Sequence, residues 1–230
     1  MIKRLLFGAH AGAPAEFADA WLAAQSAALA APMEVRPVRI EVCTALDEIT
    51  PEPPHDGIAL HWFSDEEHLR RFEAWQPAAA PGRLTPAADL AAVTVVVARE
   101  KVLRGADWLR RRRRDGGTSL KHLALARRVP GLTQQEFFDR WQSRAGSVGT
   151  VPIPPEARGA AYVQNHPLPR ADSDWPYDAV NEVYFDDLAG LRTRISWFAA
   201  NLGDNEDDLF QEPRFIAVRE ETLWPQGTPL

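Results

Sequence analysis

The sequence predicts an α+β chain made of two tandem β-α-β-β-α-β units whose sheets pack together. One observation is an internal repeat, sought first because a missed repeat misassigns the whole fold. HDGIALHWFSDEEHLRRFEAW aligns with YDAVNEVYFDDLAGLRTRISW, pairing Asp56 with Asp178, Phe63 with Phe185, Asp65 with Asp187, Leu69 with Leu191 and Trp75 with Trp197 at one constant offset. A second observation is that the order of matches is kept along the chain. Upstream, EFADAW aligns with EFFDRW, pairing Phe17 with Phe137 and Trp21 with Trp141; downstream, VAREKVL aligns with AVREETL. The third is length: 230 residues hold two halves, each long enough to bury a core. The expected boundaries are a first repeat over 1–109, a solvated Arg/Gly-rich linker over 110–118 and a second repeat over 119–230.

Each element follows from periodicity. IKRLLFGA and LKHLALARR read as first strands, and the EF-x-x-x-W segments after them put Phe and Trp four apart, on one helix face. VRIEVCTAL and GAAYVQNH read as second strands, and HDGIALHWF and YDAVNEVYF as third strands. Helices follow, opened by Asp65 and Asp187 near the positive end of the dipole. AVTVVVARE and FIAVREE close the copies as fourth strands. AVTVVVA is apolar at almost every position, the pattern of a strand covered on both faces. Two helices cover only one face of a four-stranded sheet, so the other copy's sheet is the expected cover for the bare face.

Composition narrows the function. Apolar residues make up 45% and charged residues 25%, the balance of a folded soluble chain. A net charge of -6 argues against a general nucleic-acid binder. Cys43 is the only cysteine, so neither an internal disulfide nor a thiolate metal cluster is expected, and a reducing cytoplasm fits. No stretch approaches membrane-spanning length, and the N-terminus does not read as a signal peptide. The Ala, Pro and Arg content is that of a high-GC bacterial genome.

LKHLALARRVPGLTQQEFFDRW, followed by YVQNH and YDAVNEVYFDD, resembles the EthD-like branch of the dimeric α/β-barrel superfamily, with the fuller match over 120–222. The resemblance implies a ferredoxin-like unit that normally dimerises face to face, here as an intramolecular dimeric α/β barrel. Members include cofactor-free monooxygenases, polyketide cyclases, dehydratases, decarboxylases and haem-handling enzymes, so fold does not settle function. The helix histidine of the pattern, four residues beyond the tryptophan, is replaced by Ala145 after Trp141 and Gln25 after Trp21. The strand-start lysine is matched by Lys121 and by Lys3, with a structural role that lets the amine reach solvent.

Polar residues present in one copy only point to the site. Glu182 stands against Leu60, Asn181 against Ala59, and Tyr162, Gln164 and Asn165 against Val42, Thr44 and Ala45. Such a cluster implies an internal network or a cavity, expected between the sheet and helices of the second copy. His166 and His122 are the titratable candidates, and Tyr162, Gln164 and His166 share one strand face, an acid/base wall. Asn181, Asn165 and Arg127 are candidate substrate contacts, with His61 and Trp62 the candidates of the first copy; His55 and His68 read as surface residues. No histidine spacing suits a metal, and no phosphate loop or nucleophile motif is present. The acidic stretch 203–208 reads as a solvated loop.

The leading expectation is a cofactor-free, lyase-like enzyme acting by acid/base chemistry on a hydrophobic oxygenated small molecule, aromatic or polyketide-like. A non-catalytic binding protein and a cofactor-free monooxygenase are the alternatives. A monomer is possible because the chain covers its own sheet, and a homodimer stays open.

Overall fold

The computed structural model describes residues 1–10, 14–76, 93–170, 174–201 and 208–224. The first half contributes β1 (Ile2–Gly8), α1 (Pro14–Ser26), β2 (Arg39–Ala45), β3 (Gly57–Phe63), α2 (Glu66–Trp75), β4 (Thr94–Arg104) and α3 (Ala106–Asp115). After them come β5 (Thr118–Arg128), α4 (Gln134–Ser143), the short pair β6 (Ser147–Val148) and β7 (Val151–Pro152), β8 (Ala161–Pro167), β9 (Ala179–Phe185), α5 (Leu188–Asn201) and β10 (Phe210–Trp224). Local chemistry starts the helices where the sequence places them. Asp65 accepts a hydrogen bond from the His68 amide at 2.7 Å, and Asp187 accepts one from the Gly190 amide at 2.8 Å. Thr133 and Glu136 form a reciprocal capping box on α4.

The long strands close into one antiparallel barrel in the order β1-β3-β2-β10-β5-β9-β8-β4. The sheets expected to lie face to face are therefore also joined edge to edge, through β4 with β8 and β10 with β2. Closure leaves the barrel no free edge and satisfies every ladder within the chain. It also explains why β4 and β10 outrun the other long strands except β5: each must reach a partner in both halves.

Inside the barrel, every second residue packs one apolar layer, including Leu5, Phe7, Cys43, Ile58, Leu60, Leu123, Val180 and Ile216. Toward one end the interior turns ionic. Lys3 Nζ bonds Glu182 Oε1 at 2.6 Å and Glu100 Oε2 at 2.6 Å, while Lys121 Nζ bonds Glu182 Oε2 at 2.6 Å and also pairs with Glu220. Both amines are wholly buried, over the rings of Trp62 and Tyr184 respectively, so neither reaches solvent as expected.

The arginine-rich segment is not a solvated linker throughout. Residues 110–115 complete α3, whose Leu109 is buried and whose Arg113 turns inward to bind Glu100 through both guanidinium nitrogens at 2.9 and 2.8 Å. Gly105 makes that turn possible: its φ is +74°, and an added Cβ would stand 2.2 Å from the Ala160 carbonyl. The stretch 203–208 lies outside the described residues except for Asp208, which binds Arg144 at 2.5 and 2.8 Å. No helix among the described residues is long and apolar enough to cross a membrane.

Candidate functional site

The two halves treat the outer face of their sheets differently. In the first, Gly8 is paired with Gly57, and the Trp21 indole lies directly on both: a Cβ on either glycine would come within 2.7 Å of it. In the second half the corresponding pair is Ala126 with Ala179. Those methyl groups and the Trp141 ring line an open cleft with a cavity of about 120 Å³, between β5, β8, β9 and β10 beneath and α4, α5 and the β6–β7 hairpin above. The location matches the expectation of a site between sheet and helices of the second half. Its walls are largely apolar and aromatic, with Val183, Phe198, Phe210 and Phe215 beside the alanines.

Polar groups enter from a few points. Tyr162 stands on β8 facing the cleft, and its hydroxyl accepts a hydrogen bond from Gln164 Nε2 at 3.0 Å, which leaves the phenolic proton for an acceptor in the cleft. Burial raises the Tyr162 pKa, with the Gln164 bond and the charges of Arg194 and Arg104 opposing the rise. Asn181 lines the floor, and its Oδ1 is buried without a hydrogen-bond partner. A second chamber continues past Tyr162, lined by Leu103, Arg104, Ala145, Gly146 and Arg158. Ala145 thus opens space at the mouth where the resemblance would place a histidine.

The proposed acid/base residues are arranged otherwise than expected. His166 does not line the cleft; it stacks on Trp141 at 5.1 Å and Phe138 at 4.4 Å and bonds Gln164 Oε1 at 3.0 Å. Gln164 in turn holds Tyr162, so these two support the site from behind. His122 is buried one layer below, stacked on Phe215 at 5.4 Å, with its Nδ1 accepting from Arg194 Nε at 3.1 Å. That bond occupies the one lone pair a neutral imidazole offers as a base. Burial, and then Arg194, push the His122 pKa down to about 3; burial, and then Lys101, push that of His166 to about 4. Both rings are held neutral near pH 7 and neither is placed to take a substrate proton.

Strand alternation divides the rest of the polar cluster. Asn165 and Glu182 face the barrel interior, where Asn165 Nδ2 donates to Glu182 Oε1 at 2.9 Å, while their neighbours Gln164 and Asn181 face outward. Trp62 is also interior, its indole donating to Glu100 Oε2 at 3.0 Å. Arg127 lies at an exposed strand end and donates to the Pro176 carbonyl. His61 is buried on the outer face of the first half against Phe72, with neither ring nitrogen hydrogen-bonded. His55 and His68 are buried rather than superficial: His55 Nε2 meets the Tyr177 hydroxyl at 2.6 Å and His68 Nε2 the Arg36 carbonyl at 2.9 Å.

No family model and no curated protein matches the sequence. Solved structures do match in three dimensions. An anthrone oxidase-like protein superposes with a TM-score of 0.57 at 10% identity, over 98% of this chain and 94% of its own. A "putative monooxygenase" from Lactobacillus acidophilus NCFM follows at 0.51 and 9%, over 98% and 96%, and another from Fusobacterium nucleatum at 0.51 and 7%, over 96% and 91%. The likeness is one of fold. The shared form is a closed antiparallel barrel of eight strands within a single chain, which fits a dimeric α/β-barrel fold.

Sequence reasoning missed the arginines. Arg104, Arg158 and Arg194 all line the cleft, from the end of β4, the loop before β8 and the buried face of α5. They lie far apart in the chain with no shared spacing, so no motif announces them. Arg194 alone carried a signal: a charged residue on the apolar side of an otherwise amphipathic helix.

Proposed function

We propose that this chain is a cofactor-free enzyme that binds a hydrophobic, oxygenated small molecule, aromatic or polyketide-like, in the cleft of its second half. The observation that carries the reading is the convergence of Tyr162, Asn181 and Arg194 on one apolar cavity. Tyr162 donates a hydrogen bond to a substrate oxygen, and Arg194 and Arg104 stabilise negative charge that develops there as an enolate forms. With His122 and His166 neutral and turned away, the cleft supplies stabilisation of an oxyanion rather than a histidine base. Substrates whose acidic C–H or phenol gives its proton to solvent water at the open mouth suit it, and lyase-like dehydration, decarboxylation or cyclisation is then the fate of the enolate.

Oxidation by dioxygen is a second reading, favoured by the names of the anthrone oxidase-like and monooxygenase neighbours and using the same enolate. Anthrone is therefore the first compound to offer the purified protein. Oxygen uptake with turnover supports the oxygenase reading; turnover of a polyketide-like phenol without oxygen uptake supports the lyase. Binding without turnover of either leaves a non-catalytic carrier, and Tyr162→Phe with unchanged turnover would remove the proposed oxyanion contact.

We also infer a tandem duplication related to the EthD-like proteins, over 1–109 and 119–230. The strand orders β4-β1-β3-β2 and β10-β5-β9-β8 support it, because each places the copy's first and third strands at the centre. Use of all strand edges within the chain supports a monomer, and the reading of a cytoplasmic protein rests on its single buried cysteine.

A further inference from the structure

Four arginines line the cleft, and three of them share a property that Arg144, bound to Asp208, lacks. Arg113, Arg39 and Arg128 elsewhere are paired with Glu100, Glu41 and Asp178, while Arg4 meets only the Gln76 side chain. Around the cleft, among the described residues, the protein gives Arg104, Arg158 and Arg194 only neutral acceptors. Arg194 is 6% exposed and donates to the Ala157 carbonyl at 2.9 Å and to His122 at 3.1 Å, with its guanidinium 4.2 Å from the Phe198 ring centre. Arg158 donates to the Ile153 carbonyl at 2.6 Å, and Arg104 to the carbonyls of Arg158 and Gly159. Burial lowers the pKa of Arg104 and brings that of Arg194 to about 10, each further lowered by an arginine neighbour, yet both remain charged at neutral pH. A chain of net charge -6 has thus gathered four arginines around one apolar cleft and, among the described residues, given only Arg144 a carboxylate partner.

We propose that Arg104, Arg158 and Arg194 form an anion subsite for the carboxylate of a hydrophobic aromatic acid whose ring system fills the cleft. The inference rests on the cleft being the ligand site and names the class of ligand it takes. Guanidinium forks match a planar carboxylate through paired N–H donors, and the Tyr162 hydroxyl stands beside them to donate to the same group or to a neighbouring ring oxygen. Trp141, Phe210 and Phe215 offer flat surfaces to the rings. Arginines that bind a carboxylate in its charged form stabilise it against loss of carbon dioxide, so the group orients the substrate and is not the one that leaves.

The test uses two probes of one shape, 2-naphthoate and 2-naphthamide, titrated calorimetrically into the full chain. Naphthoate is expected to bind about tenfold or more tightly, the range of one charge-assisted contact. In an Arg104→Gln/Arg158→Gln variant the preference shrinks to within about twofold while naphthamide is unaffected. Sodium chloride added to the unaltered protein provides the same readout without a variant, weakening naphthoate alone. Equal affinity for the two probes, or a preference that survives both the variant and salt, overturns the subsite and leaves the cleft reading standing. Failure of both probes to bind overturns the subsite and that reading together.

Discussion

Lys3 Nζ lies 2.6 Å from Glu182 Oε1, joining β1 to β9 across the inside of the barrel. Glu182 accepts from Lys121 on its other oxygen and from Asn165 and Tyr184 as well, so one carboxylate neutralises two buried amines contributed by different halves. Replacing it by leucine removes the carboxylate the two buried amines share, leaving Lys3 with Glu100 and Lys121 with Glu41 and Glu220. Glu182→Leu is expected to cost roughly 3–5 kcal/mol in urea unfolding, and adding Lys3→Met and Lys121→Met is expected to recover part of the loss. A single variant as stable as the original protein would refute the network's role.

Acid should unfold the protein in two overlapping windows. Burial pushes the pKa values of His61 and His122 to about 3 and those of His55 and His166 to about 4, all below the ordinary 6.5. The unfolded chain binds more protons than the folded one in this range, so stability falls as pH drops from 6.5 toward 3. Burial also pushes Glu41 and Glu182 upward, but neighbouring charges and hydrogen bonds outweigh it: Glu41 comes to about 2 and Glu182 well below its usual value. Their contribution, complete above pH 4.5, is lost as pH falls toward 2. Urea midpoints measured from pH 8 to pH 3 check the slope, and a flat profile would contradict it.

Glu220 runs the other way. Burial, and then the Glu41 carboxylate, raise its pKa well above normal against the opposing pull of Lys121. A raised carboxylate contributes stability that is present below the unfolded value and fades as pH rises through the folded one. Glu220→Gln imitates the protonated form and is expected to flatten the alkaline side of the stability profile.

His61 has no hydrogen-bond partner on either ring nitrogen and packs edge-on to Phe72, with Arg4 opposite it on β1. His61→Phe is expected to stabilise the protein by about 1 kcal/mol, read as a higher melting temperature and a shallower acid slope. Activity or binding in the cleft should not change, since this residue belongs to the opposite half.

Gly57 tests why the cleft forms in one half. Gly57→Ala places a methyl against Trp21 and Phe17, at 2.7 to 2.9 Å, and is expected to cost about 1–3 kcal/mol by forcing α1 off the sheet. A neutral melting temperature would mean that the tryptophan yields freely.

Residues with a local cause were legible before any coordinates. The short apolar run GIALHWF and its counterpart marked strands, Phe and Trp four apart marked helix faces, and Asp65 and Asp187 marked helix starts. Comparing halves also pointed to Tyr162 and Asn181, which line the cleft. The same comparison grouped Asn165 and Glu182 with them, and here alternation separates what adjacency joins.

The sequence alone therefore determined the kind and order of the repeated strands and helices, though not α3 or the β6–β7 hairpin, and the half in which polar groups gather, because periodicity, capping and composition act over a few residues. Tertiary structure decided that the sheets close edge to edge, that Lys3 and Lys121 are buried ion-pair partners rather than surface amines, and that three distant arginines meet in one cleft. Those outcomes depend on which strand pairs with which and on what each side chain meets across the barrel, contacts between residues tens of positions apart that no local pattern encodes.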